Sequence, residues 1–207
     1  MPRIARRELP DGLHHVTCRT IRRMPLFRTE RDARVLLDLL DHATHQLGGW
    51  TVYAYCLMPN HVHYVVRSDV GSLSRVMQHV NGLYAQRFNR EHGYRGHLFQ
   101  GRFHAKPITD EPHLPGAIRY VLLNPVRAGL CERPEQWRWS SCRASLGLAP
   151  VPRFLALEET LGLFGTAPAS ARARLADFLA AALPAAPGRG QTPGLSPAVS
   201  GQQLAAA

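Results

Sequence analysis

Two short apolar segments separated by a turn constrain the fold of this 207-residue chain more than any other feature. The segments TVYAYCLM (51–58) and HVHYVVR (61–67) are rich in β-branched and aromatic residues, which favour strands. Pro59 and Asn60 lie between them, and both residue types are common in turns. The pattern therefore predicts a β-hairpin.

An amphipathic helix is predicted on each side of this hairpin. Thr29 and Asp32 form a capping-box pattern, with Asp in place of the preferred Glu, and Gly48 ends the helix that follows. The second helix has Ser72 as its predicted N-cap and ends near Gly93. Both helices carry apolar residues at helical spacing, namely Ala33, Leu36, Leu37, Leu40, Ala43 and Leu47 in the first and Leu73, Val76, Met77, Val80, Tyr84 and Phe88 in the second.

Two outer segments complete the order of the elements. Residues 13–21 alternate well enough to form a strand, and residues 98–108 form a short extended stretch. The predicted order is therefore β-α-β-β-α-β, the split-βαβ arrangement. We expect an α+β, ferredoxin-like fold in which an antiparallel sheet carries helices on one face.

The remaining third of the chain adds helices and a polar tail. A third helix is predicted over 111–123, and an irregular segment at 137–141 is expected to pack back on the domain. A modest helix follows over 168–183. From residue 184 the chain consists mainly of Pro, Ala, Gly, Ser and Gln, which predicts a disordered tail.

The balance of charge favours a polyanionic partner. The chain has 25 Lys and Arg against 15 Asp and Glu, a formal charge of +10 and a pI near 10.3. Nucleic acid is a more natural partner than a membrane for such a chain. The basic residues cluster in two segments around the hairpin, with Arg3, Arg6, Arg7, Arg19, Arg22 and Arg23 in the first and Arg67, Arg75, Arg87, Arg90, Arg95, Arg102 and Lys106 in the second.

Composition also indicates the cellular compartment in which the protein is expected. The four cysteines are scattered without a C-x-x-C pair, which argues against a zinc knuckle or a disulfide framework and suits a reducing cytoplasm. The N-terminal arginines have no apolar stretch behind them, so a secretory signal is not expected. No apolar run approaches the roughly 18 residues that a membrane span needs.

His61 and His63 are the first candidates for chemistry. On a strand, residues i and i+2 point to the same side, so the two imidazoles could serve one metal ion. Such a pair taken alone is more often engaged in packing or hydrogen bonding, and a catalytic metal needs further ligands. Tyr120 and Asn124 lie one helical turn apart and could add a nucleophile and a third ligand. Judged by spacing alone, however, a tyrosine on an amphipathic helix is more often a core residue, and an asparagine before proline is more often a helix cap.

Four motifs together carry a more specific signal. LMPNHVHYVV, GRFHAKPI, IRYVLLNPVRAGL and WRWSS occur in that order, and the chain over about residues 10–146 resembles the REP-associated tyrosine transposases. These are single-tyrosine transposases of the HUH endonuclease superfamily, named after the pattern His, hydrophobe, His. The resemblance implies a catalytic domain, which we place over 1–146. The chain beyond it does not match the family, and its composition and spacing predict a partly helical C-terminal extension over 147–183 and the disordered tail over 184–207.

The resemblance also implies roles for individual residues. His61 and His63 match the metal-binding pair, Tyr120 matches the nucleophile on the helix after the ferredoxin-like part, and Asn124 matches the amide that completes the metal site. The expected activity is metal-dependent cleavage and rejoining of single-stranded DNA near hairpins of repetitive extragenic palindromes, through a 5′-phosphotyrosine. Candidates for DNA contacts are Arg19, Arg22, Arg102, Lys106 and Arg127.

Mg²⁺ or Mn²⁺ is the expected metal, because two imidazoles and one amide do not form a closed zinc site. The expected partners are single-stranded DNA and DNA hairpins, with the protein acting as a monomer or homodimer in the cytoplasm, associated with the nucleoid and without a membrane. One alternative is a domesticated, non-catalytic protein that binds DNA hairpins. Another is a metal-dependent phosphohydrolase acting on nucleotides, which would leave the basic segments unexplained.

Overall fold

A computed structural model describes residues 11–109 and 111–183 of the chain. Within these residues the strands are β1 (Gly12–Arg19), β2 (Trp50–Met58), β3 (His61–Ser68) and β4 (His104–Pro107). The helices are α1 (Glu30–Leu47), α2 (Ser72–His92), α3 (Leu114–Leu122), α4 (Asn124–Arg127), α5 (Cys142–Ser145), α6 (Leu157–Gly162) and α7 (Pro168–Ala180).

The four strands form one antiparallel sheet in the order β2-β3-β1-β4. The predicted hairpin is formed by β2 and β3. Helix α1 connects β1 to β2 along the chain, but in the sheet β1 lies beside β3. This is the strand order of a split βαβ unit. The α+β, ferredoxin-like fold predicted from the sequence is therefore confirmed.

The predicted capping box begins α1. The amide of Asp32 donates to Thr29 Oγ1 at 3.2 Å, and Asp32 Oδ2 accepts from the amide of Thr29 at 2.9 Å. Asp32 also accepts from His92 Nε2 at 2.9 Å, which joins the start of α1 to the end of α2. The two helices pack side by side, and their apolar faces lie on one side of the sheet.

The start of α2 differs slightly from the prediction. Gly71 is the N-cap rather than Ser72, because the carbonyl of Gly71 accepts the first helical hydrogen bond from Arg75 at 3.2 Å. Gly71 has a φ of 77°, a conformation that glycine adopts without steric cost. At the other end of α2, Gly93 is left-handed and closes the helix where the sequence predicted.

Helix α3 packs against β2 and β3 on the opposite face of the sheet. It begins at Leu114, after a 3-10 turn at Glu111–His113, and not at residue 111. Pro115 accounts for this start, because proline fits the first turn of a helix and not its interior. Strand β1 likewise ends at Arg19 and gives way to a 3-10 turn at Ile21–Arg23 instead of continuing to residue 21.

The segments after α4 pack onto the sheet. Trp137 Nε1 donates to the carbonyl of Leu57 at 2.9 Å, which places the predicted irregular segment against β2. Further along, Leu155 forms a bridge with Val52, and Thr160 Oγ1 donates to the carbonyl of Tyr53 at 3.1 Å. The described part of the C-terminal extension thus contributes to the same core.

Some predictions fall outside the residues that the structure describes. These are the disordered tail over 184–207 and the N-terminal arginines Arg3, Arg6 and Arg7. The domain boundary at 146 stays a prediction. Across residues 11–109 and 111–183, none of the helices has both the length and the apolar character that crossing a bilayer requires.

Candidate active site

The pleat of the sheet brings the predicted site residues to one face. Alternate side chains of a strand share a face, and the register of paired strands aligns them across the sheet. On β1, Thr17 pairs with His63 of β3 on one side and with His104 of β4 on the other. Arg19 of β1 pairs with His61 of β3. The side chains that this pattern places on the face covered by α3 are His15, Thr17 and Arg19 of β1, His61 and His63 of β3, and His104 and Lys106 of β4.

The two histidines of the H-x-H motif lie side by side, with ring centroids 4.8 Å apart. Their Nδ1 atoms are engaged by protein neighbours. His61 Nδ1 lies 2.6 Å from Asn60 Oδ1, and His63 Nδ1 lies 2.8 Å from His15 Nε2 and 3.3 Å from Thr17 Oγ1. Asn60 Oδ1 can only accept, so His61 Nδ1 carries the proton and His61 Nε2 keeps a lone pair. The same arrangement holds for His63 in the tautomer in which His15 Nε2 is the acceptor.

The electrostatic surroundings hold both imidazoles neutral. Burial and, to a smaller extent, the nearby Arg19 lower the pKa of His61 to about 4. Burial also lowers the pKa of His63 to about 3, with contributions from His61, His15 and Arg19. Burial lowers the pKa of His15 as well, assisted by His104 and Lys106. Neutral imidazoles are the form in which histidine binds metals.

Tyr120 of α3 lies over the histidines. Its ring centroid is 6.0 Å from that of His63 and 5.5 Å from that of His15, in edge-to-face geometry. The residue is 43% exposed, which is unusual for a large side chain on an amphipathic helix whose neighbours Val121 and Leu122 are buried. The exposed side of α3 therefore presents a phenol next to the histidine pair.

Asn124 lies one turn after Tyr120, at the start of α4. Its Nδ2 donates to the carbonyl of Tyr120 at 2.8 Å and also lies 3.4 Å from the carbonyl of Val121. This bonding uses the amide nitrogen and leaves the amide oxygen for another partner. The predicted role of Asn124 as a cap is modified, since Leu123 is the N-cap of α4 and Asn124 its first residue.

The residues present fit a divalent metal in their chemistry. Two neutral imidazoles have their Nε2 atoms free of the bonds described above, and a metal-binding histidine ordinarily has its other ring nitrogen held by a neighbour, as Asn60 and His15 hold these. Among the residues that the structure describes, no three or more His, Cys, Asp or Glu side chains are grouped to hold a metal. A site here would therefore depend on a ligand of another kind, such as an amide oxygen.

The predicted DNA-binding residues surround this group. Arg127 places its guanidinium carbon 4.9 Å from the Tyr120 ring centroid. Lys106 lines a cavity of about 550 Å³ that also reaches Tyr120 and His15. Arg102 lines a second cavity, of about 460 Å³, beside Thr17.

The other two predicted arginines, Arg19 and Arg22, lie at the C-terminal end of β1 and in the turn that follows it. Arg19 and Arg22 line a third cavity, of about 340 Å³, together with Asn60 and His61. Arg22 has a φ of 47° and Arg23 a φ of 57°, and two consecutive left-handed arginines are costly for a chain of L-residues. All five predicted basic residues thus lie around the histidine pair and Tyr120.

Sequence reasoning missed the residues that hold the histidines. His15 and Thr17 contact His63, and Asn60 contacts His61. Asn60 was read only as a turn residue. The alternation of the first strand contained a usable signal, since His15, Thr17 and Arg19 are polar residues at i, i+2 and i+4 on one face. Nothing in the sequence specified that this face would lie against His63.

Comparisons with known proteins were made on the sequence and on the fold. A family model described as IS200-like transposase matches residues 11–122. The fold is similar to that of a REP-associated tyrosine transposase bound to a REP hairpin, with a TM-score of 0.60, 18% identity, and coverage of 73% of this chain and 90% of that one.

A crystal structure described as a transposase candidate from Deinococcus radiodurans R1 is also similar, with a TM-score of 0.40, 18% identity, and coverage of 59% of this chain and 97% of that one. No curated protein matches the sequence significantly. The family match spans more than half of the chain and confirms the resemblance found in the sequence motifs. The chain belongs to the family of IS200-like transposases, and its role is transposase-like processing of DNA.

Proposed function

We propose that this protein is a metal-dependent endonuclease and strand transferase that acts on single-stranded DNA through a covalent link to Tyr120. The observation that carries this proposal is the position of Tyr120. An exposed phenol lies 6.0 Å, ring to ring, from the buried His63, on a face surrounded by arginines and one lysine. A core tyrosine, which was the competing interpretation of the sequence, would not be 43% exposed.

The residues of the chain divide the chemistry between them. The Tyr120 hydroxyl attacks the scissile phosphorus in line, the bond from phosphorus to the 3′ oxygen breaks, and a 5′-phosphotyrosine and a free 3′-OH result. Arg127, which lies over the Tyr120 ring, offsets negative charge as the phenol loses its proton and the phosphate is attacked. Because the ester retains the energy of the phosphodiester bond, a 3′-OH can later displace Tyr120 and rejoin the strands.

A divalent ion, Mg²⁺ or Mn²⁺, would be held by His61, His63 and Asn124, where it would polarise a non-bridging phosphate oxygen. Both imidazoles are neutral and are oriented by neighbouring side chains, as metal binding requires. His61 is held by Asn60, and His63 is held by His15 and Thr17. Asn124 would contribute its amide oxygen, because its amide nitrogen donates to the carbonyl of Tyr120 on α3.

The proposed substrates are hairpins of repetitive extragenic palindromes with an unpaired flank. The REP-associated tyrosine transposase of similar fold is bound to a REP hairpin, and the basic residues around this site suit a polyanion. We propose Arg19, Arg22, Arg102, Lys106 and Arg127 as DNA contacts. A cytoplasmic location at the nucleoid, a catalytic domain ending near residue 146, and action as a monomer or homodimer complete the proposal.

The test is to incubate the purified protein with Mn²⁺ or Mg²⁺ and labelled single-stranded hairpins from repeats of its own genome, and to resolve the products on a denaturing gel. We expect labelled DNA at the mass of the protein. That band should be lost with EDTA and in Tyr120→Phe. The matched control is Tyr94→Phe, because Tyr94 is a partly exposed tyrosine at the far end of α2, stacked on Phe88.

Each result bears on a different part of the proposal. Cleavage without a covalent adduct would indicate hydrolysis and would remove Tyr120 as the nucleophile. Adduct formation in the presence of EDTA would contradict the proposed dependence of the reaction on a divalent metal. Hairpins that are bound but neither cut nor linked would favour the alternative, a domesticated protein that binds DNA hairpins without cleaving them.

A further inference from the structure

The C-terminal extension over 147–183 reaches the helix that carries Tyr120. On α7, the ring of Phe178 lies against the guanidinium of Arg119, whose central carbon is 4.1 Å from the ring centroid. A cation over an aromatic face is attracted by the negative charge of that face. Both side chains are half-buried, and Arg119 immediately precedes Tyr120 on α3. A segment to which the sequence motifs assign no role therefore contacts the helix of the proposed nucleophile.

Arg119 and Tyr120 lie on opposite flanks of α3. The residues of α3 that are buried on the sheet are Leu114, Ile118, Val121 and Leu122. Successive residues of an α-helix are rotated by about 100°, which places Arg119 on one side of this buried face and Tyr120 on the other. Ala117 shares the side of Tyr120, and the two line one cavity with His15. Phe178 thus contacts α3 on the flank away from the candidate active site.

The rest of the extension fixes the position of Phe178. Its ring packs on that of Phe164, with a centroid distance of 5.5 Å and a tilt of 53°. Leu175 and Leu179 of α7 are buried, and Arg174 Nη1 donates to the carbonyl of Phe164 at 3.1 Å. The ring against Arg119 therefore belongs to a packed part of the domain.

A hydrogen-bonded network makes a second link, from α6 to the start of α3. Tyr53 Oη donates to Glu159 Oε2 at 2.7 Å and accepts from Arg67 Nε at 3.2 Å. Arg67 Nη2 donates in turn to Glu111 Oε1 at 3.1 Å, in the 3-10 turn that precedes α3. Ion pairs as exposed as that of Arg67 and Glu111 contribute little stability, so the contact of Phe178 is the stronger hold on α3.

From these contacts we infer that Phe178 is a positioning residue for Tyr120, through which the C-terminal extension keeps the phenol over the histidine pair. This inference rests on the proposed function for the reaction that the phenol carries out. Because Tyr120 is 43% exposed, its place depends on the backbone of α3 more than on packing of its own ring. A displacement of about 1 Å can slow a reaction by about 100-fold, so a small movement of α3 would be measurable.

A spectroscopic test follows the position of Tyr120 without any reaction. Fluorotyrosine is placed at position 120 of the full-length protein, and its fluorine resonance is compared between the unaltered protein and Phe178→Leu. Leucine keeps an apolar side chain next to Phe164 and removes the ring from Arg119. We expect a shifted or broadened resonance in Phe178→Leu, and Phe178→Tyr, which keeps the ring, should restore the original one. Leu163→Ala is the matched control, since Leu163 is an exposed leucine at the end of α6.

A kinetic test separates the position of Tyr120 from DNA binding. At saturating hairpin and Mn²⁺, Phe178→Leu should form the covalent adduct about tenfold more slowly than the unaltered protein. Its hairpin affinity and the Mn²⁺ concentration for half-maximal rate should not change, and Phe178→Tyr should restore the rate. Arg119→Gln, which leaves α7 unaltered, should slow the reaction to a similar extent. The double variant should be no slower than either single variant, because both changes remove the same contact.

The inference is overturned if Phe178→Leu leaves the fluorine resonance unchanged, or leaves unchanged the rate of an adduct that the unaltered protein forms. Rate losses that add in the double variant would also overturn it, because Phe178 and Arg119 would then act independently. An equal loss in Leu163→Ala would show a general effect of altering the extension and would have the same consequence.

The proposed function can fail separately. If the resonance responds as expected but the unaltered protein forms no adduct, the positioning of Tyr120 stands without the reaction. If every variant forms the adduct at the same rate, the reaction stands and the role of Phe178 is refuted.

Discussion

Replacement of His15 is the most informative single perturbation of the candidate site. His15 has no part in the H-x-H motif, yet its Nε2 lies 2.8 Å from His63 Nδ1 and its ring stacks on that of His63 at 5.0 Å. His15→Phe keeps an aromatic ring in this position and removes the acceptor. The proton on His63 Nδ1 would then have only Thr17 Oγ1, at 3.3 Å, as a neighbour.

The size of the effect follows from that geometry. His63 is 4% exposed, so water cannot readily replace the lost acceptor. A buried donor left without a partner costs about 1–3 kcal/mol, and the longer contact to Thr17 should hold the loss at about 1–2 kcal/mol. If His63 is a metal ligand, that corresponds to a loss of about 5- to 30-fold in metal affinity.

The assay is the rate of covalent adduct formation as a function of Mn²⁺ concentration. We expect His15→Phe to require about 5- to 30-fold more Mn²⁺ for half-maximal rate. His15→Gln should recover much of the difference, because its Oε1 can accept from His63 Nδ1. His42→Phe, an exposed histidine on α1, is the control for replacing an imidazole by a phenyl ring.

A Mn²⁺ dependence unchanged in His15→Phe would refute the reasoning, because His63 would then not need His15 to present its Nε2. A loss of rate that no concentration of Mn²⁺ restores would also count against it. That result would assign His15 a direct part in the reaction.

Three further predictions concern stability and DNA binding. Hydrogen bonds from the amides of Arg28 and Thr29 and from His92 outweigh burial and lower the pKa of Asp32, so its contribution to stability is present at neutral pH and is lost as the pH falls through the lowered pKa. Asp32→Asn should therefore cost about 1–2 kcal/mol at pH 7 and flatten the acid side of the profile in urea titrations, and an unchanged profile would contradict this. Arg102→Gln should lower hairpin affinity for all sequences and reduce the slope of log K against log salt by about 1, whereas an unaltered slope would mean that Arg102 touches no phosphate. Truncation after residue 150 should give an unfolded or aggregated protein by circular dichroism, because it removes Phe154, Leu155 and the buried face of α7 from the core, whereas truncation after residue 183 should leave the melting temperature of the domain unchanged.

Local patterns in the sequence were sufficient to predict the elements and their order. Thr29 and Asp32 predicted the start of α1, and the glycines at 48 and 93 predicted where α1 and α2 end. These signals can be found in the sequence because a cap acts on backbone groups only a few residues away. Boundaries were less accurate where a neighbouring residue set them. Helix α3 begins at Leu114 and not at residue 111, because Pro115 fits only its first turn. The N-cap of α2 is Gly71, through its carbonyl, and not the side chain of Ser72.

The motifs also named the candidate residues of the site, but not how they are held. His61, His63 and Tyr120 were named from the motifs, and the structure brings them together on one face. Asn124 lies where α3 ends, with its nitrogen bonded to the helix. Whether its oxygen is a metal ligand stays a prediction, as do the roles of the other residues.

By itself, the sequence determined the alternation of strands and helices, the position of the H-x-H pair on a strand and the excess of positive charge, since each depends on residues close together along the chain. The tertiary structure alone decided that β1 lies between β3 and β4, and this put His15 and Thr17 against His63. It also decided that Phe178 of α7 lies against Arg119 of α3. Strand order and register join residues almost 50 positions apart, and they are chosen by the packing of both faces of the sheet at once, which no local pattern encodes.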